Sequence, residues 1–522
     1  MAQNVAQTLS SINRMPAPTW SWLKMNDAHI DLPAGLVVEP KTATVTCVPT
    51  GTAAATMVPT TTTVASAAPE SVSESTSGGT PETAPAGTAP SASVATPDTA
   101  TEAVLGVAGA FDTELVLADK RFAGRERGQA PGDAAARERL VAGELDPLEV
   151  PALSEYQQGA LRVEQELSVG EAFRTGMGSE AYAYLRGLAG KPVVLDVPGG
   201  LSAAVRVELD GRIGAARATA IDVIARRGST LDLVIALDGV DEGAFSRTQL
   251  GAESGQTSST SPQNSAPQAP STAKPAKTPA PGAAHIDARS CAGLIGSSLR
   301  IFAGSAARVR VTYVQTADDA FIALDDTGIL LDEGAHVDIS HTILGAGTSC
   351  TGLAADLRGD TSRLEVRTSY LGVREQIRDF NYAPRHLGRR TRSDMDANGV
   401  LTGASTKVLR GTIDLMHGCS GSEGAEHETV LIADERVENK TVPVILCDED
   451  DVAGNHGATI GHVRPNQLFY LSSRGISETQ AEALFTSAKL EDAAHAAPTK
   501  KIRAAVARLA DHMGVDLEEE IA

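Results

Sequence analysis

From Lys191 onward, apolar and polar residues alternate in short runs: PVVLDVP, AAVRVELDG, TAIDVIA and LDLVIALDG, each bounded by Gly, Asp or Pro. The same texture resumes after residue 284 with LRIFAG, ARVRVTYVQ, AFIALDDTGILLDEG, AHVDISHTI, SRLEVRTSYL, KVLRGTIDLM, ETVLIADERVENKTVPVILCDEDD and GATIGHV. A period of two is what a half-buried strand requires, because successive side chains leave a strand on opposite faces. In SRLEVRTSYL it sets Leu364, Val366 and Ser369 near one face and Glu365 and Arg367 on the other. Strands that follow one another through short turns, with no helices between, could form a sandwich, an antiparallel barrel or a parallel β-helix. Hairpin dipeptides are scarce, Asn398-Gly399 being the single Asn-Gly, and the side chains are small enough to stack in ladders. These features favour a mostly β protein with a parallel β-helix core.

Helical spacing replaces this pattern at both flanks. Residues 132–190 carry Ala, Glu, Arg and Leu at helical intervals, and the stretch from Ser179 predicts a last helix before Gly190. Near the other end, Ser477 and Gln480 have capping-box spacing. Behind them Ala481, Leu484, Phe485 and Ala488 share one face, while Ile502, Val506, Leu509 and Met513 form a stripe that Gly514 can close. Each stripe needs cover, either from the β core or from a partner. Leu484, Phe485, Ile502, Val506 and Leu509 are therefore the candidate docking residues.

Two segments, 49–102 and 243–284, are rich in Ser, Thr, Pro and Ala and lack the apolar content to offset the entropy of ordering. The expected organisation is an N-terminal segment (1–48), a low-complexity insertion (49–102), a helical region (103–190), the start of the β-helix (191–242), a second insertion (243–284), the β-helix core (285–472) and a C-terminal helical domain (473–522).

Composition narrows the function. A net charge of −21 and a pI near 5.0 disfavour a phosphate backbone as partner, and Lys/Arg clusters with interleaved aromatics are absent from the sequence. The five cysteines are widely spaced without a CxxC pair, which argues against a disulfide framework or a pre-formed zinc or four-thiolate site. The N-terminus lacks signal-peptide character, and no run of about 20 apolar residues occurs. A soluble, cytoplasmic protein that does not engage membranes is the expectation. The nucleophile-elbow, P-loop and zincin motifs are missing, so an enzyme is not expected. Gly418-Cys-Ser-Gly-Ser reads as a turn between strands. The run Asp448-Glu-Asp-Asp451 keeps one alternative open, a polysaccharide-processing, lyase-like β-helix enzyme that would use those acids or bind Ca²⁺ through them.

His456 is followed by Gly457 and Ala458, small neighbours that leave an imidazole accessible. A neutral imidazole is a common iron ligand, although a lone His at a strand end more often serves structure. The run RVENKTVPVILCDEDDVAGNHGATIGHVRPNQLFYLSSRGIS at 436–477 closely resembles the C-terminal signature of the SufB/SufD family of iron–sulfur cluster assembly proteins. Asp379…His386…Ser393, the segments around Val400 and Lys407, and Met15-Pro-Ala-Pro-Thr-Trp-Ser-Trp also resemble it. The resemblance covers about 300 residues and points to the SufD branch: Gly454-Asn-His-Gly-Ala-Thr stands where SufB chains carry Glu-His-Glu-Ala-Thr, and Glu438 occupies the place of the SufB cysteine.

This resemblance implies a right-handed parallel β-helix core flanked by N- and C-terminal helical regions, a scaffold that pairs with a SufB-type subunit through the β-helices, or with a second copy of itself as a homodimer, and docks a SufC-type ATPase on its C-terminal helices. It further implies a nascent iron–sulfur cluster, transient and shared with SufB, to which His456 contributes a metal ligand. Gly454 replaces a cysteine common in SufD chains. Cys447, nearby, is expected to face inward as a core residue, and His462 is expected to be structural.

Overall fold

The alternating runs form two nine-stranded sheets, in a computed structural model that describes residues 8–16, 23–39, 43–48, 173–190, 192–241, 283–462, 465–515 and 517. The first sheet contains β3 (Val37–Val38), β5 (Val193–Val197), β7 (Ala215–Ala225), β10 (Gly293–Ala303), β12 (Phe321–Leu331), β14 (Thr348–Leu357), β16 (Ile377–His386), β18 (Thr406–Leu415) and β20 (Glu438–Cys447). The second contains β4 (Thr44–Val48), β6 (Ser202–Gly211), β8 (Thr230–Gly239), β11 (Arg308–Gln315), β13 (His336–Ile343), β15 (Arg363–Gly372), β17 (Arg392–Leu401), β19 (Ser422–Ile432) and β21 (Val452–His462).

Successive strands alternate between the sheets and pair in parallel with the strand one coil earlier, as Ile377 with Thr348 and Thr406 with Ile377. The result is a parallel β-solenoid of about eight turns, the expected fold class. The antiparallel pairing of β4 with β6 is an exception within the second sheet.

Period-two burial builds the core. In β15, Leu364 and Val366 are buried, Arg367 is exposed, and the inward row continues through Thr368 and Tyr370. Ser369 belongs to the opposite row, since it is an odd number of residues from Leu364 and Val366 sets the inward parity. Leu, Ile and Val of both sheets fill the interior together with a few rings. Phe321 is seated by glycines from three strands: a Cβ on Gly211, Gly239 or Gly293 would lie within 2.5–3.0 Å of its ring. At one corner Gly403 has φ +67° and lies against the backbone of Arg374, where a side chain would have neither a relaxed conformation nor room.

The outer face of the first sheet is covered by helix α1 (Ser179–Ala189) and by a small sheet of β1 (Thr8–Ile12), β2 (Asp27–Asp31) and β9 (Ala283–Asp287), which bury Leu9, Ile30, Leu185 and Ile286 against Ala216, Leu294, Ile322 and Leu324. The expected segment 1–48 thus contributes strands. Of the helical region expected at 103–190, α1 matches the predicted last helix, and residues 103–172 lie outside the described residues, as do 49–102 and 243–282.

The second sheet is covered by α3 (Glu478–Ala496) and α4 (Lys500–His512), while α2 (Pro465–Ser473) follows β21. The helices begin at Pro465, within the segment expected to end the β core. Ser477 and Gln480 form the predicted capping box, and Gly514 has φ +73° after α4. No described helix is long and apolar enough to cross a membrane.

Candidate functional site

Among the described residues the solenoid ends on β20 and β21, with no further strand beside either one, and this sets the chemistry of this end. Strand β19 turns Gly424, Glu426, Glu428 and Val430 inward, each buried, and pairs in register with β21: Glu426 with His456, Glu428 with Ala458, Val430 with Ile460. Side chains of paired residues leave a parallel sheet on the same face. His456 therefore stands on the inward row, yet it is exposed because no coil of the described residues stacks beneath it. Gly457 is on the opposite row, where a Cβ would sit 3.4 Å from Nδ1 of His427. Gly454 shares the inward row, and a Cβ there would come within 2.9 Å of a methyl group of Ile445, so this position is tight against its neighbour.

Just above His456 lies a buried ionic cluster. The Lys407 ammonium donates to the Glu428 carboxylate and, at 3.0 Å, to the Thr441 hydroxyl; Thr441 in turn donates to Glu428 at 2.6 Å. Tyr370 donates to the same carboxylate at 3.2 Å. Lys407 and Glu428 are 0% and 1% exposed at the side chain, and burial depresses the Lys407 pKa despite the adjacent carboxylate. Glu426 lies over Gly411, where a Cβ would meet its carboxylate at 2.2 Å. Desolvation, aided by the charge of Glu428, raises the pKa of Glu426 to about 7. The coil next to the open end therefore holds a carboxyl group that can exchange a proton near neutral pH. The sequence reading missed Lys407, Glu426 and Glu428. Their signal was parity: each occupies the inward row of a strand whose other inward residues include Leu409, Ile413 or Val430.

Cys447 ends β20 in register with Leu415. It is exposed, where a core position was expected, for the same reason as His456: among the described residues no coil covers it. Its thiol lies 3.3 Å from the Glu449 carbonyl. His462 closes β21 and is exposed. His386 and Ser393, singled out by spacing, do meet, at 2.8 Å, while Asp379 holds Arg410 on the other face of the first sheet. The acidic turn is engaged locally: Glu449 accepts from the Gly418 amide and Asp451 from the Ser420 hydroxyl, both at 2.8 Å. These carboxylates staple one turn to the previous one. Gly418-Cys-Ser-Gly-Ser is a turn between β18 and β19, with Cys419 buried.

The docking candidates divide. Val506 and Leu509 are fully buried against Leu344, Leu371 and Val400, and Ile502, 3% exposed, packs on Ala236 and Val314. Phe485 is half-buried on the same surface, so these four cover the chain's own solenoid. Leu484 alone projects outward, at 57% exposure, along with Phe469, Tyr470 and Ile460. The stripe expected from Ala481 to Ala488 is only partly the buried face of α3: Ala481 is buried and Phe485 half-buried, Leu484 and Ala488 are exposed, and Leu490, Ala493 and Ala494 in the helix's second half carry most of the contact with the solenoid.

Residues 283–489 match the family described as SUF system FeS cluster assembly, SufBD core domain. The chain is 30% identical over 142 residues to the iron–sulfur cluster assembly protein SufD of Bacillus subtilis, covering 27% of this chain and 32% of that protein. It is 28% identical over 192 residues to an iron–sulfur cluster assembly SufBD family protein of Mycobacterium tuberculosis, covering 37% of this chain and 23% of that protein. With SufD of Escherichia coli the figures are 25% over 156 residues, 30% of this chain and 37% of that protein. The alignments thus span between about a quarter and just over a third of the length of these relatives.

Proposed function

We infer, from the match of residues 283–489 to the SufBD core domain, that the protein is a non-catalytic scaffold of iron–sulfur cluster assembly and acts as the SufD-type member of a complex with a SufB-type subunit and a SufC-type ATPase. The observation that carries this reading is the open last coil, on which His456 occupies an inward row and is nonetheless exposed. The free edges of β20 and β21 offer unpaired backbone groups to a sister solenoid, the kind of edge that proteins otherwise protect. At such a junction the His456 imidazole would lend a nitrogen to a nascent cluster, the complex's cargo, whose other ligands come from the sister chain. A cluster held by one ligand from this side is easily released. Glu426, in the adjacent ladder position, can take up or give back a proton as the ligand set changes.

The ATPase would engage α2 and the outward side of α3, where Phe469, Tyr470 and Leu484 are exposed. Movement imposed there reaches the solenoid because α3 and α4 are fastened to it: Arg508 forks onto Asp238 and Lys489 donates to Asn398 at 2.6 Å. Nucleotide-driven approach of two ATPase subunits would thereby shift the paired solenoids and open their junction.

The test is anaerobic reconstitution of the co-expressed complex, wild type against His456→Ala, read by visible absorption. The expected result is an intact complex with a cluster yield reduced at least several-fold. An unchanged yield would overturn the ligand assignment, and failure of the wild-type chain to co-purify with any SUF subunit would overturn the scaffold reading.

A further inference from the structure

A second concentration of ligating side chains lies far from the last coil, where β2 meets β9. The two strands carry one tetrapeptide twice, Ala28-His-Ile-Asp31 and Ala284-His-Ile-Asp287, and pair in parallel with these letters in register. Ile30 and Ile286 enter the apolar layer over the first sheet. The opposite row then brings His29 beside His285, with Asp31 and Asp287 two residues further along the same face. One nitrogen from each of His29 and His285 and one oxygen of Asp31 lie within 4.8 Å of one another. Nε2 of His285 is 3.1 Å from one Asp31 oxygen, and Nε2 of His29 is 3.6 Å from the other. Ligands about 2.1 Å from a tetrahedral ion stand about 3.4 Å apart, so each imidazole lies within a few tenths of an ångström of that spacing from one oxygen of the same carboxylate.

The surroundings favour metal over a simple hydrogen-bonded cluster. Nδ1 of His29 lies 3.4 Å from the Ser10 carbonyl, which selects the tautomer that leaves Nε2 free to ligate, the usual support of a metal-binding imidazole. Arg289 forks onto Asp287 at 2.5 and 2.8 Å and reaches Asp31 only at 4.0 Å, so the second acid is neutralised while the Asp31 carboxylate, which also accepts from the Thr8 hydroxyl at 3.3 Å, keeps lone pairs for an ion. His29 is 4% exposed at its side chain and His285 52%, giving a sheltered floor with one open approach for the ion and a fourth ligand such as water.

We propose that His29, Asp31 and His285 bind a borderline divalent transition-metal ion, zinc or iron(II) by ligand type, and that this ion clips the N-terminal strand pair to the strand that precedes the solenoid core. The site joins positions 254 residues apart in the chain, so a bound ion closes a very long loop. It is independent of the role assigned to His456.

The test uses the full chain, stripped with chelator and titrated with Zn²⁺, with bound metal counted after gel filtration and amide exchange followed in β1 and β2. Wild type and the His456→Ala control should retain one zinc more per chain than His285→Ala and Asp31→Asn, with affinity at this site reduced at least 100-fold in either variant. Zinc should slow exchange in β1 and β2 of the wild type and leave it unchanged in the variants. His285 is exposed, so its replacement leaves the fold intact. Co²⁺ in place of zinc should give a weak visible spectrum without a thiolate charge-transfer band that is lost in His285→Ala. Equal zinc content and equal exchange in wild type and both variants would overturn the proposal.

Discussion

The coils from β10 to β18 and the final coil of β20 and β21 are written in the same alternating pattern, and they differ in almost every physical respect. Strands β12 and β14 are buried along their whole length, whereas β21 has no fully buried residue and β20 has one, Val442. The middle coils have a coil on each side, and α1, the small sheet and the C-terminal helices cover their faces. The last coil has a neighbour on one side only. Burial of an inward side chain in a solenoid is thus conferred by the next coil rather than by the strand itself, and a terminal coil left uncapped turns core positions into a binding surface.

The largest test of this contrast targets the sealed part. Asp379 and Arg410 are fully buried, paired at 2.7 and 3.1 Å, and locked by Asn13 and the Met25 carbonyl. Asp379→Ala leaves a guanidinium uncompensated in that layer and should lower stability by about 3–5 kcal/mol in urea unfolding. A loss below about 1 kcal/mol would mean that water reaches this layer.

Next comes the boundary between the regions. The Glu426 pKa rises from 4.5 to about 7, so between those values the folded chain keeps a proton that the unfolded chain has released. Its contribution to stability is greatest below pH 4.5 and lost as pH rises to 7, a drop of a few kcal/mol at most, about 2–3 kcal/mol. His386 acts oppositely: burial lowers its pKa from 6.5 to about 4, so its contribution grows between pH 4 and 6.5. Comparing Glu426→Gln with wild type cancels the His386 effect, and the difference between their stability profiles should change steadily between pH 4.5 and 7 and level off above. A difference independent of pH would place Glu426 in contact with water. Ser477→Ala, which removes one half of the α3 capping box, should cost about 1 kcal/mol in the same assay.

Strand positions were legible in the sequence because a period of two is a local signal, as in β15, and so was the capping box. The family signature around His456 pointed to the parallel fold where pattern alone left three architectures open. What stayed hidden depended on distant neighbours. Strands β1, β2 and β9 (TLSSI, DAHID and AAHID) carry too few β-branched residues to announce themselves, unlike the equally short β5 (VVLDV), and β2 meets β9 across both insertions and the first solenoid strands. Lys407, Glu426 and Glu428 were not singled out, because charged residues are rarely fully buried unless paired, and the pairing is between strands that local sequence does not connect. The exposure of Cys447 could not be read from its strand, since it follows from where the stack of coils stops.

The smallest effect on stability belongs to the open coil and separates the two regions most sharply. Ile460 occupies an inward row of β21, in register with the buried Val430, and is nevertheless 48% exposed. An isoleucine in that row of β12, such as Ile329 at 1% exposure, could not be exchanged for a charge without severe loss. Ile460→Lys should shift the unfolding free energy by no more than about 0.5 kcal/mol, because the ammonium reaches water without displacing anything. In the proposed assembly, however, the same substitution sets a charge at the seam between two solenoids and should abolish co-purification with the sister subunit. Loss of stability with association intact would reverse the picture, making the last coil part of the chain's own core and moving the partner surface elsewhere.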